Sequence, residues 1–119
     1  MPQSTQTGDL PRTSWHDFLY SVTAEHQGDY VTMEVLSLDF GDQHEAERLP
    51  LFDIEYDHQD DVVVVSVGGR DGRYPVVLRH IIRQPRRIIV DPSLPTAALA
   101  LEVIDADGDR TVLTIYPGE

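Results

Sequence analysis

A chain of 119 residues suits one domain, with a core large enough to stand without a metal or disulfide staple. It has no cysteine, which excludes a disulfide framework, a thiolate zinc site and a cysteine nucleophile, and its net charge of −12 disfavours nucleic acid and anionic membranes as partners. All nine basic residues are arginine, and six of them (Arg70, Arg73, Arg79, Arg83, Arg86 and Arg87) fall between 70 and 87 with only Asp71 opposing, so that segment carries +5 and the remainder −17.

Residues 1–12 are polar, hold two prolines and show no periodicity, which predicts a flexible tail ahead of a single domain over 13–119. The start lacks the basic and apolar run of a signal peptide. No window approaches the ~20 apolar residues of a membrane span, so a cytoplasmic protein without membrane association is expected.

The stretch TSWHDFLYSVTAEHQG predicts a helix. Ser14 suits the N-cap, with Asp17 completing a capping-box-like pair; Trp15, Phe18, Leu19 and Val22 form one apolar stripe, and Gly28 suits the residue after the C-cap. A lone amphipathic helix needs a surface to cover, and strands follow. In YVTMEVLSLDFG the apolar parity changes, from Val31, Met33 and Val35 to Leu36, Leu38 and Phe40, which predicts a bulge or sharp bend in that strand.

GDQHEAERLP reads as a polar connection. LFDIEYDH alternates, placing Phe52, Ile54 and Tyr56 inward and Asp53, Glu55 and Asp57 outward. After the HQDD turn, VVVVSVGG reads as a strand buried on both faces. The glycine loop GRDGR leads to the strand YPVVLRHIIR, and residues 86–91 form another. The proline-rich PSLPT links to two alternating strands around a tight turn at Asp107-Gly108.

Pro85 decides the reading of RHIIRQPRRIIV, residues 79–90. Its φ near −65° is incompatible with the favoured two-residue hairpin turn, so a short 3₁₀-like corner between sheet faces is expected. Arg83, Arg86 and Arg87 then point outward at the bend, and Arg79 lies on the face opposite His80. The sum is an α+β, mainly β domain. Its N-terminal amphipathic helix caps a strongly bent antiparallel sheet, or a small SH3/Sm-like barrel, of six or seven short strands ending in a C-terminal hairpin.

Candidate chemistry is sparse. Asp105, Asp107 and Asp109 resemble the start of a calcium loop, but Arg110 and Tyr116 stand where that motif needs glycine and glutamate, so a hairpin turn is expected. His58 beside Asp57, Asp60 and Asp61 lacks a second histidine at ligand spacing. VGGRDGR matches no phosphate-binding pattern, and no nucleophile elbow occurs. His80 shares the apolar parity of Val76, Leu78 and Ile82 and reads as a partly buried histidine with a backbone partner. No catalytic residue, metal ligand or cofactor is assigned.

Taken in order, W…FL, VTMEVL, LPLFDIEYD, HIIRQPRRIIV and LEVIDADGDRTVLTIY resemble a family of short bacterial proteins known only as a domain of unknown function, over residues 13 to 116. The resemblance implies a free-standing single domain and supplies no activity, cofactor or site residue.

The separated charges favour a non-catalytic interaction or accessory module that binds a protein or associates with itself. Its contact residues would be Arg70, Arg73, Arg79, Arg83, Arg86 and Arg87. One alternative is a small-ligand or anion-binding domain with Arg79 and Arg83 as clamps. Another is a nucleic-acid-related role, as a small-barrel binder or as an acidic mimic of DNA.

Overall fold

The computed structural model describes residues 8–37, 41–68, 76–91 and 99–116. A 3₁₀ turn over Arg12–Ser14 leads into helix α1 (Trp15–His26). Eight strands lie among the described residues: β1 (Gly8–Asp9), β2 (Tyr30–Ser37), β3 (Gly41–Asp57), β4 (Val62–Gly68), β5 (Val76–Arg83), β6 (Pro85–Asp91), β7 (Leu99–Asp105) and β8 (Arg110–Ile115). Every pairing is antiparallel, in the order β1-β6-β7-β8-β2-β3-β4-β5. Among the described residues the two ends of that order do not pair, so the sheet is open and curled rather than a closed barrel.

The curl comes from β3. GDQHEAERLP, expected as a connection, is the first half of this 17-residue strand. Its partners skip Glu45, Arg48 and Phe52, and Arg48 sits at φ +55°. Each extra residue bends and twists the strand. The first half of β3 therefore pairs with β2, while the second half, now turned, pairs with β4. The parity change in YVTMEVLSLDFG sets a bulge on this strand near Val35 and Leu36; the extra residues lie instead on its partner, opposite Val31 to Glu34, and residues 38–40 lie outside the described residues. The Phe52 bulge also gives the inward position to Leu51, with Ile54 and Tyr56 inward as expected.

Helix α1 covers what this bend exposes. Where β3 leaves β2, one edge of its second half has no strand beside it. Thr23 Oγ1 donates to the Ile54 carbonyl and accepts from the Ile54 amide, both at 3.0 Å, and Gln27 Nε2 donates to the Phe52 carbonyl at 3.0 Å. The amides of Gly28 and Leu51 complete the edge with the carbonyls of Leu51 and Asp29. Replacing Thr23 with valine strands two backbone groups of Ile54 and is expected to cost about 1–3 kcal/mol in urea unfolding, with serine recovering most of it.

The helix stripe enters the core as its spacing predicts, with Trp15, Leu19 and Val22 buried. Gly28 adopts φ +94° after the C-cap, a conformation that favours glycine. Ser14 does not cap the helix with its side chain. The preceding 3₁₀ turn holds this end instead, with the Ser14 amide donating to the Pro11 carbonyl at 2.8 Å.

The segment expected as a tail is attached from Gly8 onward. Gly8 and Asp9 pair with Val90 and Ile89, and the Leu10 amide donates to the Ile88 carbonyl at 2.9 Å. Arg12 reaches furthest. Its guanidinium donates to Tyr56 Oη (3.0 Å), Asp61 Oδ1 (3.2 Å) and the Pro85 carbonyl (3.0 Å), and lies 4.3 Å from the centroid of the Trp15 ring.

As Pro85 predicts, RHIIRQPRRIIV forms no hairpin: β5 and β6 do not pair and stand far apart in the strand order. The corner between them is a single residue, Gln84, at φ +52°, rather than a 3₁₀ turn. Its amide donates to the Asp61 carbonyl (2.9 Å) and its carbonyl accepts from the Ala106 amide (3.0 Å), stitching the two ends of the curl together.

The C-terminal hairpin forms with a longer loop than Asp107-Gly108 alone suggests. The Asp105 amide donates to the Asp109 carbonyl, the Gly108 amide donates to the Asp105 carbonyl, and Gly108 has φ +88°. This is the three-residue loop with a left-handed glycine.

Candidate functional site

Three strands build the most distinctive surface. The register aligns Asp53 with Ser66 and Ser66 with Arg79; Glu55 with Val64 and Val64 with Ile81; and Asp57 with Val62 and Val62 with Arg83. These residues have the opposite parity to Ile54, Tyr56, Val63, Val65 and Ile82, which are in the core, so all three rows lie on the outer face. Carboxylates line β3, a small neutral ridge lines β4, and Arg79 and Arg83 line β5. With strands about 4.8 Å apart, the acidic and basic lines stand about 10 Å from each other.

The ridge is well covered, as expected for β4: Val62 is 8% exposed and Ser66 1%. Arg79 lies over Ser66, its Nε donating to Ser66 Oγ at 3.3 Å. Arg83 is exposed and forms no ion pair among the described residues.

Two large apolar side chains are exposed among the described residues, Tyr20 (71%) and Ile81 (45%), and both border this face. Ile81 stands between Arg79 and Arg83 on β5. Tyr20 lies beyond the acidic line, in a groove of about 220 Å³ shared with His16, Thr23, Asp53 and Glu55. Tyr20 is off the Trp15-Leu19-Val22 stripe and so never enters the core.

The four described arginines of the predicted set lie on two strands. Arg79 and Arg83 share the face just described. Arg86 is exposed at a bulge in β6. Arg87, on the outer face of β6, is held by Asp9, with Nη2 and Nε 2.8 and 2.9 Å from Oδ2. Arg70 and Arg73 lie outside the described residues. Sequence patterning had already turned Asp53, Glu55 and Asp57 outward, but nothing in it revealed that β4 and β5 lie beside them.

A second feature is a cleft of about 380 Å³ at the open end of the curl. Its lining includes His80, Ile82 and Arg83 from β5, Gln84 from the corner, the hairpin loop from Asp105 to Asp109, and the buried Thr111. Asp105 Oδ1 accepts the amides of Asp107 (2.9 Å) and Asp109 (3.1 Å), so this carboxylate shapes its own turn. Asp57 does the same at the β3–β4 turn, accepting the amides of Gln59 (3.0 Å) and Asp60 (3.4 Å). Among the described residues, no group of three or more histidine and carboxylate side chains is placed to hold a metal ion. Nor is any helix among them long and apolar enough to cross a membrane.

The chain is similar, at 28% identity over 111 residues and 93% of each sequence, to an uncharacterised protein of Aquifex aeolicus. No solved structure matches it. The resemblance carried by LPLFDIEYD, HIIRQPRRIIV and LEVIDADGDRTVLTIY is thereby upheld: a family model covers residues 6–117, and the chain belongs to the family of unknown function DUF5335.

Proposed function

We propose that this protein is a non-catalytic interaction or accessory module of the cytoplasm that docks on another protein through the outer face of β3, β4 and β5. The observation that carries the reading is the ordered face itself. An acidic line and a basic line run parallel across a neutral ridge, with an exposed apolar side chain at each side. Such a pattern steers encounter and fixes orientation, and it fits a protein surface bearing the reverse pattern.

The anion-binding alternative is less well supported, because an anion beside Arg83 in the cleft would also meet the loop of Asp105, Asp107 and Asp109. The nucleic-acid readings fare no better. Carboxylates and arginines share one face, which suits neither a phosphate track nor a uniformly acidic mimic.

An affinity pull-down from native-host lysate tests the reading. A protein retained by the wild type and by an Arg86→Glu control is expected to be lost with an Arg79→Glu/Arg83→Glu variant. Identical recoveries with all three baits would overturn the assignment of this face.

A further inference from the structure

We infer that the partner is a second copy of this chain, docked face to face about a two-fold axis parallel to β4. The inference rests on the reading of this face as an interaction surface and names its occupant. A two-fold contact places the same patch on both subunits, so the patch must complement itself. Two in-plane axis directions can be compared with the observed register. Rotation about an axis perpendicular to the strands lays β3 over its own copy, opposing carboxylate to carboxylate and arginine to arginine. Rotation about an axis parallel to β4 exchanges the sides while keeping each row at its own level.

Under the second operation the two outer rows become complementary. Asp53 faces Arg79 of the second copy, and Asp57 faces Arg83 of the second copy, each pair occurring twice. The ridge residues Val62 and Val64 meet their own counterparts on the axis. On the middle row, Glu55 faces the Ile81 position. Tyr20, lying just beyond Glu55, comes over the exposed Ile81 and the open edge of β5. The exposed apolar side chains thus cover each other, one pair on each side of the axis. Packed sheets stand about 10 Å apart, a gap that a long arginine and a short carboxylate can bridge between them.

Edge-to-edge pairing of β5 with its copy is the competing arrangement. An antiparallel pair centred on Ile81 would set Arg79 directly opposite Arg83 of the other chain, and like charges opposed across strands are destabilising. Charged residues on an edge strand ordinarily prevent such pairing. The three-strand face is small, about 15 Å across by about 20 Å long from strand spacing and rise. On its own that is less than a stable interface buries, so the dimer is weak and salt-sensitive, with the Tyr20–Ile81 contacts extending it on both sides.

Sedimentation or light scattering at about 0.02 M and about 0.5 M salt tests this, since screening lengths differ several-fold between the two. A dimer at low salt that dissociates at high salt is expected. Two variants sharpen the test: Arg79→Glu/Arg83→Glu makes the face wholly acidic, and Asp53→Arg/Glu55→Arg makes it mainly basic. Each alone is expected to be monomeric at low salt, while their equimolar mixture forms a heterodimer, which also shows that both are folded. Tyr20→Ala is expected to weaken the wild-type dimer at least about tenfold without changing its charge. A wild-type monomer at low salt overturns the inference, as does a dimer that survives both charge variants. A monomer that still retains a different protein through Arg79 and Arg83 in the pull-down leaves the interaction-module reading standing and removes only self-docking.

Discussion

Replacing Trp15 with alanine is expected to destabilise the protein by about 3–5 kcal/mol, a large part of the roughly 5–15 kcal/mol that holds a typical domain together. The side chain is 1% exposed and is the point where three parts of the chain meet. Its ring stands edge-on to Tyr56, with centroids 5.1 Å apart and planes at 85°. Its Nε1 donates to the Leu10 carbonyl at 3.1 Å, and the Arg12 guanidinium covers one face. Alanine would leave a cavity beneath the helix and strand the Leu10 carbonyl. Phenylalanine keeps a ring against Tyr56 and loses chiefly the hydrogen bond, so a smaller cost of about 1–2 kcal/mol is expected. Urea unfolding followed by circular dichroism measures both variants. An alanine variant within about 1 kcal/mol of the wild type would show that the helix is not docked as described.

Gln84 gives the second large effect, and there the direction depends on the replacement. Its φ of +52° is one that proline cannot adopt, and its amide is bonded to the Asp61 carbonyl. Gln84→Pro is therefore expected to cost about 3 kcal/mol or more. Gln84→Gly acts in the opposite sense. A left-handed conformation costs a non-glycine residue roughly 1–2 kcal/mol, and glycine gives back part of that gain through the entropy of its unfolded chain. The glycine variant should fall within about 1 kcal/mol of the wild type, on the stabilising side. Equal losses for glycine and proline in the same unfolding experiment would contradict a left-handed corner at this position.

These two residues mark the boundary of what the sequence made legible. Trp15 was readable because helix periodicity is local: the spacing to Leu19 and Val22 alone identifies a buried stripe. The strands β4 to β8 were readable for the same reason, each from its own alternation or its run of β-branched residues. The corner at Gln84 was half readable. Proline chemistry ruled out a tight hairpin, but the actual conformation is set by Asp61 and Ala106, residues remote in sequence that supply the two hydrogen-bond partners. GDQHEAERLP was misread because its polar composition resembles a loop, whereas pairing with β2 gives its backbone a strand partner whatever its side chains are. Arg12 was assigned to a tail for a related reason: its partners Tyr56, Asp61 and Pro85 come from three later segments.

The same limit applies to the candidate surface. Alternation showed that Asp53, Glu55 and Asp57 point one way along β3. It could not show that Arg79 and Arg83 lie two strands away at matching heights, because that depends on register. The arginine cluster is continuous along the chain, and its four described members sit on two strands, β5 and β6, that do not pair.

The position of β8 carries a consequence for synthesis. It is the last of the eight strands to be made, yet it lies inside the sheet, between β7 and β2, pairing Val31 with Ile115 and Leu36 with Arg110. While translation proceeds, β2 and β7 each lack the neighbour that will separate them. The meander of β3, β4 and β5, with short-range pairings, can close as soon as it leaves the ribosome. The other half of the sheet waits for residues 110–115 to emerge. Its closure is a long-range event, slow by comparison, during which the apolar faces of β6 and β7 remain open to other nascent chains.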